Sequence, residues 1–209
     1  MLLGPNTSRI FYEDPKLLLF TLSRYKFVSK MLDGCDSVLE IGCQEGFGAR
    51  LVQKVVRKYK GVDFYLPYIE FARTSQNSSD VDFTAHDMLD GPIMLENNTK
   101  FESCFALDVL EHISLDDENL FMTNSVRSLH PEKGQMLIGM PSLESQIYAS
   151  KSSKLGHVNC KTGEELKRFM KSYFQFVYIF SLNDEVVHTG FFPMSHYLIA
   201  LGVKPIRNE

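Results

Sequence analysis

Sixteen residues, SVLEIGCQEGFGARLV at positions 37–52, constrain the fold more than any other stretch. An apolar strand pattern runs straight into three glycines, Gly42, Gly46 and Gly48, and then into a helical pattern. Glycines at such a junction let the chain turn sharply and bring backbone N–H groups close to a ligand. A strand that feeds a helix in this way belongs to a βαβ unit.

The rest of the chain repeats the alternation. DPKLLLFTLSRYKFVSKML opens with Asp14 as N-cap and Pro15 at the first helical position. Leu18, Leu22, Tyr25, Val28 and Leu32 then form one apolar stripe, and Gly34 suits the helix end. KGVDF, VDFTAHD, FESCFALDVL and GQMLIGMPS read as further strands. ARLVQKVVRKY, PYIEFARTS and DDENLFMTNSVRSLH read as helices, and so does TGEELKRFMKSYF, with a capping box in Thr162 and Glu165. FQFVYIFSL and MSHYLIALGV close the chain without a helical pattern between them, as an antiparallel hairpin does. The expectation is a three-layer, doubly wound α/β sheet of seven strands, mostly parallel, ending in that hairpin.

At 209 residues the chain suits one domain. Its parts are an N-terminal helical cap over about 1–34, a core over about 35–142, and a lid with the C-terminal hairpin over about 143–209. A net charge of -4 argues against a nucleic-acid partner, which would require clustered Lys and Arg. Lys54, Arg57, Lys58 and Lys60 read as the solvated face of the helix after the glycines. No apolar run is long enough to span a membrane and no secretory signal is visible, so a cytoplasmic protein, monomer or homodimer, is expected. Cys35, Cys43, Cys104 and Cys160 lack metal or disulfide spacing and read as reduced thiols.

The glycine spacing is G-x-x-x-G-x-G, not the dinucleotide G-x-G-x-x-G, and no GK[ST] follows. A carboxylate, Glu40, stands two residues before the first glycine. That acid suits a cationic ligand better than a pyrophosphate. On EIGCQEGFG and the motifs after it, roughly residues 36–142, the chain resembles the class I S-adenosylmethionine-dependent methyltransferases, whose sheet is Rossmann-like. It departs from their first motif at Gln44, where glycine is usual.

The resemblance implies S-adenosyl-L-methionine as cofactor. It puts Glu40 near the cofactor's amino-acid end, with Gly42, Gly46 and Gly48 forming the loop. Asp63, which ends GVD, would take both ribose hydroxyls, while Asp87 and Met88 would meet the adenine. Leu107 and Asp108, in ALDVLEHI, would lie beside the methionine part.

Methyl transfer from a sulfonium depends mainly on orientation. A hydroxyl or amine acceptor must also lose a proton, which a His titrating near neutrality can take. His157, in LGHVN, is the first candidate base, and His112, after the fourth strand, the second. His86 reads as structural and His130 as a helix-end cap. The long connections 142–161 and 183–193 should overhang one crevice at the strand ends. Glu111, Asn159, Asp184, Glu185 and His188 would hold a polar acceptor there, and no metal-ligand spacing is evident. The terminal segments are similar to those of methyltransferases of glycan and sugar-modifying pathways, which implies a small-molecule or carbohydrate-linked acceptor methylated on oxygen. Two alternatives stand beside this reading: a nicotinamide-dependent oxidoreductase on a similar sheet, and a non-catalytic S-adenosylmethionine-binding protein.

Overall fold

The computed structural model describes residues 3–75 and 79–206; the outermost ends of the expected domain lie outside them. Eight strands form one sheet: β1 Ser37–Ile41, β2 Lys58–Asp63, β3 Val81–Ala85, β4 Ser103–Leu107, β5 Gln135–Pro141, β6 Phe174–Asn183, β7 Val186–His188 and β8 Tyr197–Pro205. Their order is β3-β2-β1-β4-β5-β8-β6-β7. The first five are parallel, β8 runs antiparallel between β5 and β6, and β7 folds back on β6. The strand order reverses between β1 and β4, and the crevice over that switch is where such sheets bind ligands.

Among the described residues, seven helices accompany the sheet: α1 Pro5–Glu13, α2 Lys16–Met31, α3 Ala49–Val52, α4 Leu66–Ser75, α5 Glu118–Arg127, α6 Lys151–Gly156 and α7 Gly163–Lys171. Two apolar layers result. Tyr25 and Val28 of α2, with Leu32 just past its end, pack with Val52 of α3 and Ile69 of α4 on one face. Phe121 and Met122 of α5 pack with Leu166 and Met170 of α7 on the other. In β1 the alternation assigns Val38 to the α2 face and Leu39 and Ile41 to the α5 face. The capping box starts α7, with Thr162 accepting from Glu165 N–H and the Glu165 carboxylate accepting from Thr162 N–H.

The seven-strand expectation is corrected to eight. Residues 183–193 are not all loop, because Asp184 takes a left-handed φ of 52° and the turn lets Val186–His188 pair with Ser181–Asn183. The helix expected over ARLVQKVVRKY is only four residues long. Beyond Gln53 the backbone is captured by its neighbour: Gly34 N–H donates to Val55 O and Lys58 N–H to Asp36 O. The basic cluster is therefore no helix face. Lys58 and Lys60 lie in β2, where Lys60 pairs with Asp82, and Arg57 pairs with Asp36. Helix α2 begins at Lys16, one residue later than expected, though Asp14 still accepts from Lys16 N–H. Among the described residues, no helix is long and apolar enough to cross a membrane.

Candidate active site

Over the carboxyl ends of β1–β4 lies a cavity of about 510 Å³, within the range of small-ligand sites. Asp63 ends β2 at its wall. One of its oxygens accepts from Gln44 N–H at 3.0 Å and the other from Tyr65 N–H at 2.9 Å. Burial raises its pKa, and those two N–H groups oppose the rise. Asp87 and Met88 follow β3 along the same wall, where Asp87 accepts from Leu89 N–H. Phe64, Tyr65 and Tyr68 add an aromatic flank.

Gly42 lines the cavity with a φ of +77°, and a Cβ there would come within 2.4 Å of Val109. Only glycine meets both constraints. A smaller cavity of about 140 Å³ continues beneath α1 and α2, sharing Gly42, Gln44 and Asp108 with the first. Leu107 borders the smaller cavity only.

The two acids of the glycine segment point elsewhere. Glu40 is buried on the α2 face, where its carboxylate accepts from the hydroxyls of Tyr25 and Tyr59. Burial pushes its pKa up to about 7 against those hydrogen bonds. It lines neither cavity. Glu45 reaches the start of α1, accepting from Asn6 N–H at 2.6 Å and Thr7 N–H at 3.0 Å. Gly48 serves this packing too, since a Cβ would overlap the Tyr25 ring at 2.1 Å. Gly46, at φ +71°, faces Phe83 in the core.

Gln44 holds a left-handed φ of 47°, which explains why glycine is expected there. Its amide oxygen accepts from Asn6 at 2.9 Å.

At the β4 end, Asp108 also takes a left-handed φ, 57°, and pairs with Arg24 of α2 at 2.6 Å. The Arg24 guanidinium lies 3.8 Å over the Tyr197 ring. Leu110–His112 then form a short 3-10 turn that buries Glu111 completely. Burial and neighbouring Asp108 hold the Glu111 carboxyl well above the ordinary 4.5, with its own backbone N–H and then Arg24 opposing them. The first long loop closes over this turn, because Glu111 O accepts from Val158 N–H at 2.8 Å and Asn159 N–H at 3.1 Å. That docking puts the His157 ring 5.3 Å from the His112 ring. Burial, then the neighbouring His112, lowers the His157 pKa.

His112 lines the main cavity and His157 stands behind it. The other proposed acceptor-binding residues are not brought to this corner. Asn159 is buried in a network with Glu118 and Lys161. Asp184 and Glu185 sit at the β6–β7 turn and His188 ends β7, three to four strands beyond β4, or roughly 14–19 Å at the usual strand spacing. The segment just after the second long loop packs on the first, with Ser142 donating to Ser195 O and Tyr148 against His196.

Sequence reasoning passed over several residues here. His86, expected to be structural within β3, lies just past it on the cavity wall and bonds Gly91 O at 2.9 Å. Phe64 and Tyr65, immediately after Asp63, were a usable signal: two aromatics exposed beside a strand-end acid. Arg24 left none, since its partner Asp108 is 84 residues away. His130, expected as a helix-end cap, instead holds the turn after the helix, accepting from Glu132 and Lys133 N–H, while Ser128 caps α5.

Residues 39–138 match the family profile described as a methyltransferase domain. No curated protein sequence matches the chain. Among solved structures, it is similar to a chain of the complex between the Haloferax volcanii Trm112 methyltransferase activator and a methyltransferase. There the TM-score is 0.74 at 13% identity, covering 97% of this chain and 96% of that one. The N-methyltransferase NodS from Bradyrhizobium japonicum, bound to S-adenosyl-l-homocysteine, gives 0.64 at 17%, covering 97% and 94%. DhpI in its SAM–HEP complex gives 0.62 at 14%, covering 96% and 98%.

Proposed function

We propose that the chain, whose residues 39–138 match a methyltransferase domain, is a class I S-adenosylmethionine-dependent methyltransferase that methylates an oxygen of a small polar acceptor, sugar-linked or of related chemistry. The observation that carries this reading is the division of the cavity. Its Asp63 and Asp87 wall suits a nucleoside, and its far corner gathers Asp108, His112 and, behind them, Glu111 and His157.

In this reading Asp63 accepts the ribose hydroxyls, Asp87 and Met88 meet the adenine, and Gly42 lets the cofactor's tail pass toward the smaller cavity. The acceptor hydroxyl gives up its proton in the corner, where His157 and His112 are the available imidazoles. Its oxygen takes the methyl as the carbon–sulfur bond breaks, leaving S-adenosylhomocysteine. The work of the protein is to align oxygen, methyl and sulfur, which can supply about 7–11 kcal/mol of the barrier. A small-molecule acceptor fits the net charge of -4, and four free cysteines fit action in the cytoplasm.

Calorimetry with S-adenosylhomocysteine and with NAD tests the premise of the site. S-adenosylhomocysteine should bind and NAD should not; NAD binding alone would return the reading to an oxidoreductase. Incubation with labelled S-adenosylmethionine and fractionated metabolites then tests the acceptor class, and label found only in nucleic acid or protein would refute a small-molecule acceptor.

A further inference from the structure

The far corner contains a group that proton abstraction by an imidazole leaves unexplained. Glu111 is wholly buried, and neither carboxylate oxygen accepts a hydrogen bond from another residue. A buried carboxylate with no donor beyond its own backbone N–H is costly, so such groups find a counter-charge or a metal.

Two imidazoles stand beside it. One carboxylate oxygen of Glu111 and one ring nitrogen each from His112 and His157 all lie within 4.8 Å of one another. Both rings are already oriented by their Nδ1 atoms. His112 Nδ1 is 2.9 Å from Gly156 O, and His157 Nδ1 is 2.8 Å from Gln146 Oε1. A backbone carbonyl can only accept, so Nδ1 of His112 carries a proton, and in the neutral ring Nε2 is the atom left free to ligate. The Gln146 amide is set the same way: its Nε2 donates to Ser142 O at 3.2 Å, which turns Oε1 toward His157. Outer oxygens that hold Nδ1–H are the usual support of a metal-ligating histidine.

We propose that Glu111, His112 and His157 form a binding site for a divalent first-row transition-metal ion at the acceptor end of the cavity. Two neutral imidazoles and one carboxylate suit Mn²⁺, Fe²⁺, Co²⁺ or Zn²⁺ rather than Ca²⁺ or Mg²⁺. Metal–nitrogen bonds of about 2.1 Å put ligand atoms roughly 3.4 Å apart in a tetrahedral shell, so the three groups need close by no more than about 1.4 Å on an ion. The hydrogen bonds from Val158 and Asn159 to Glu111 O already tie the two halves of the site together. Three protein ligands leave positions for water or an acceptor oxygen on the cavity side, where His112 lies. Metal binding does not depend on the methyl-transfer reading, although the ion's role toward an acceptor does. With an ion bound, the imidazoles act as ligands, and coordination lowers the acceptor's own pKa.

The test is a Co²⁺ titration of the chelator-stripped full chain, followed by visible absorption, with S-adenosylhomocysteine calorimetry on the same samples. One Co²⁺ per chain should bind with ligand-field bands of an imidazole–carboxylate site. The double variant Glu111→Gln, His157→Ala, neither residue of which lines the cavity, should weaken Co²⁺ binding by about 100-fold or more. Its affinity for S-adenosylhomocysteine should stay near wild type, which also reports an intact fold. If that variant fails to bind S-adenosylhomocysteine, His157→Asn alone takes its place, again with weaker Co²⁺ binding expected. Absence of stoichiometric Co²⁺, Mn²⁺ and Zn²⁺ binding by the wild type, or unchanged binding by the folded variant, overturns the site. Metal binding without S-adenosylhomocysteine binding would leave the site standing and remove the methyltransferase reading; the reverse result would do the opposite.

Discussion

The two ends of the cavity treat their carboxylates in opposite ways. At the β2 and β3 ends, Asp63 and Asp87 already accept backbone N–H groups, so their orientation is fixed before any ligand arrives. At the β4 end, Glu111 is more deeply buried and accepts from no other residue. A satisfied acid is a finished surface that a neutral hydroxyl can approach without reorganisation. An unsatisfied one is a site whose partner is still to come. The end proposed for the nucleoside is thus preset by the backbone, while the end proposed for the acceptor depends on side chains brought in by a docking loop.

The largest test of that contrast is His157→Ala. It should lower turnover by about 10²–10⁴-fold and leave cofactor affinity within about twofold, because His157 lies outside the cavity wall. Steady-state kinetics with S-adenosylhomocysteine calorimetry would check it. A parallel loss of cofactor affinity would mean the two ends are not separable. Next in size, Asp63→Ala should weaken S-adenosylhomocysteine binding by about 100-fold. It removes two charge-assisted hydrogen bonds to a ribose and frees the Gln44 and Tyr65 N–H groups. Circular dichroism should show the fold retained, and unchanged affinity would put the nucleoside elsewhere.

The third test turns on Glu40, the acid that belongs to neither end. Its pKa rises from the ordinary 4.5 to about 7 in the folded protein. A group raised on folding contributes its stability in full below pH 4.5 and loses it as pH climbs to about 7. Wild type should therefore lose about 3 kcal/mol relative to Glu40→Gln across that window, and the difference should be flat above it. Denaturant midpoints of both proteins from pH 4 to 8 would show it. A constant difference would mean that Glu40 is ionised throughout, held so by Tyr25 and Tyr59.

Glu40 also marks where reading the sequence stops. The strands were legible because β1, β4 and β5 are buried on both faces and read as apolar runs. The glycine turn, the α7 capping box and the strand-end acids were legible because their geometry is local. The direction of Glu40 was half legible, since alternation along β1 puts it on the face of Val38, away from Leu39 and Ile41. What receives it was not, because Tyr25 and Tyr59 come from α2 and β2. The same holds for the Glu111–His157 corner, which needs a loop 46 residues downstream to dock on one backbone carbonyl. Short β7 was hidden because three residues carry too little alternation to outweigh the loop composition around them.

The smallest effect concerns Gln44, the one break in the glycine motif. Its φ of 47° costs a non-glycine residue on the order of 1 kcal/mol. Gln44→Gly removes that strain and also the exposed bond to Asn6, while adding freedom to the unfolded chain. The strain slightly outweighs the other two, so the melting temperature should rise by about 1–3 °C. Cofactor affinity should hardly change, because Gln44 meets Asp63 through its backbone N–H, which glycine keeps. A fall in melting temperature would show that the Asn6 contact fastens α1 over the smaller cavity more firmly than an exposed hydrogen bond should. The N-terminal helices would then count as part of the preset end, with Gln44 as their clasp.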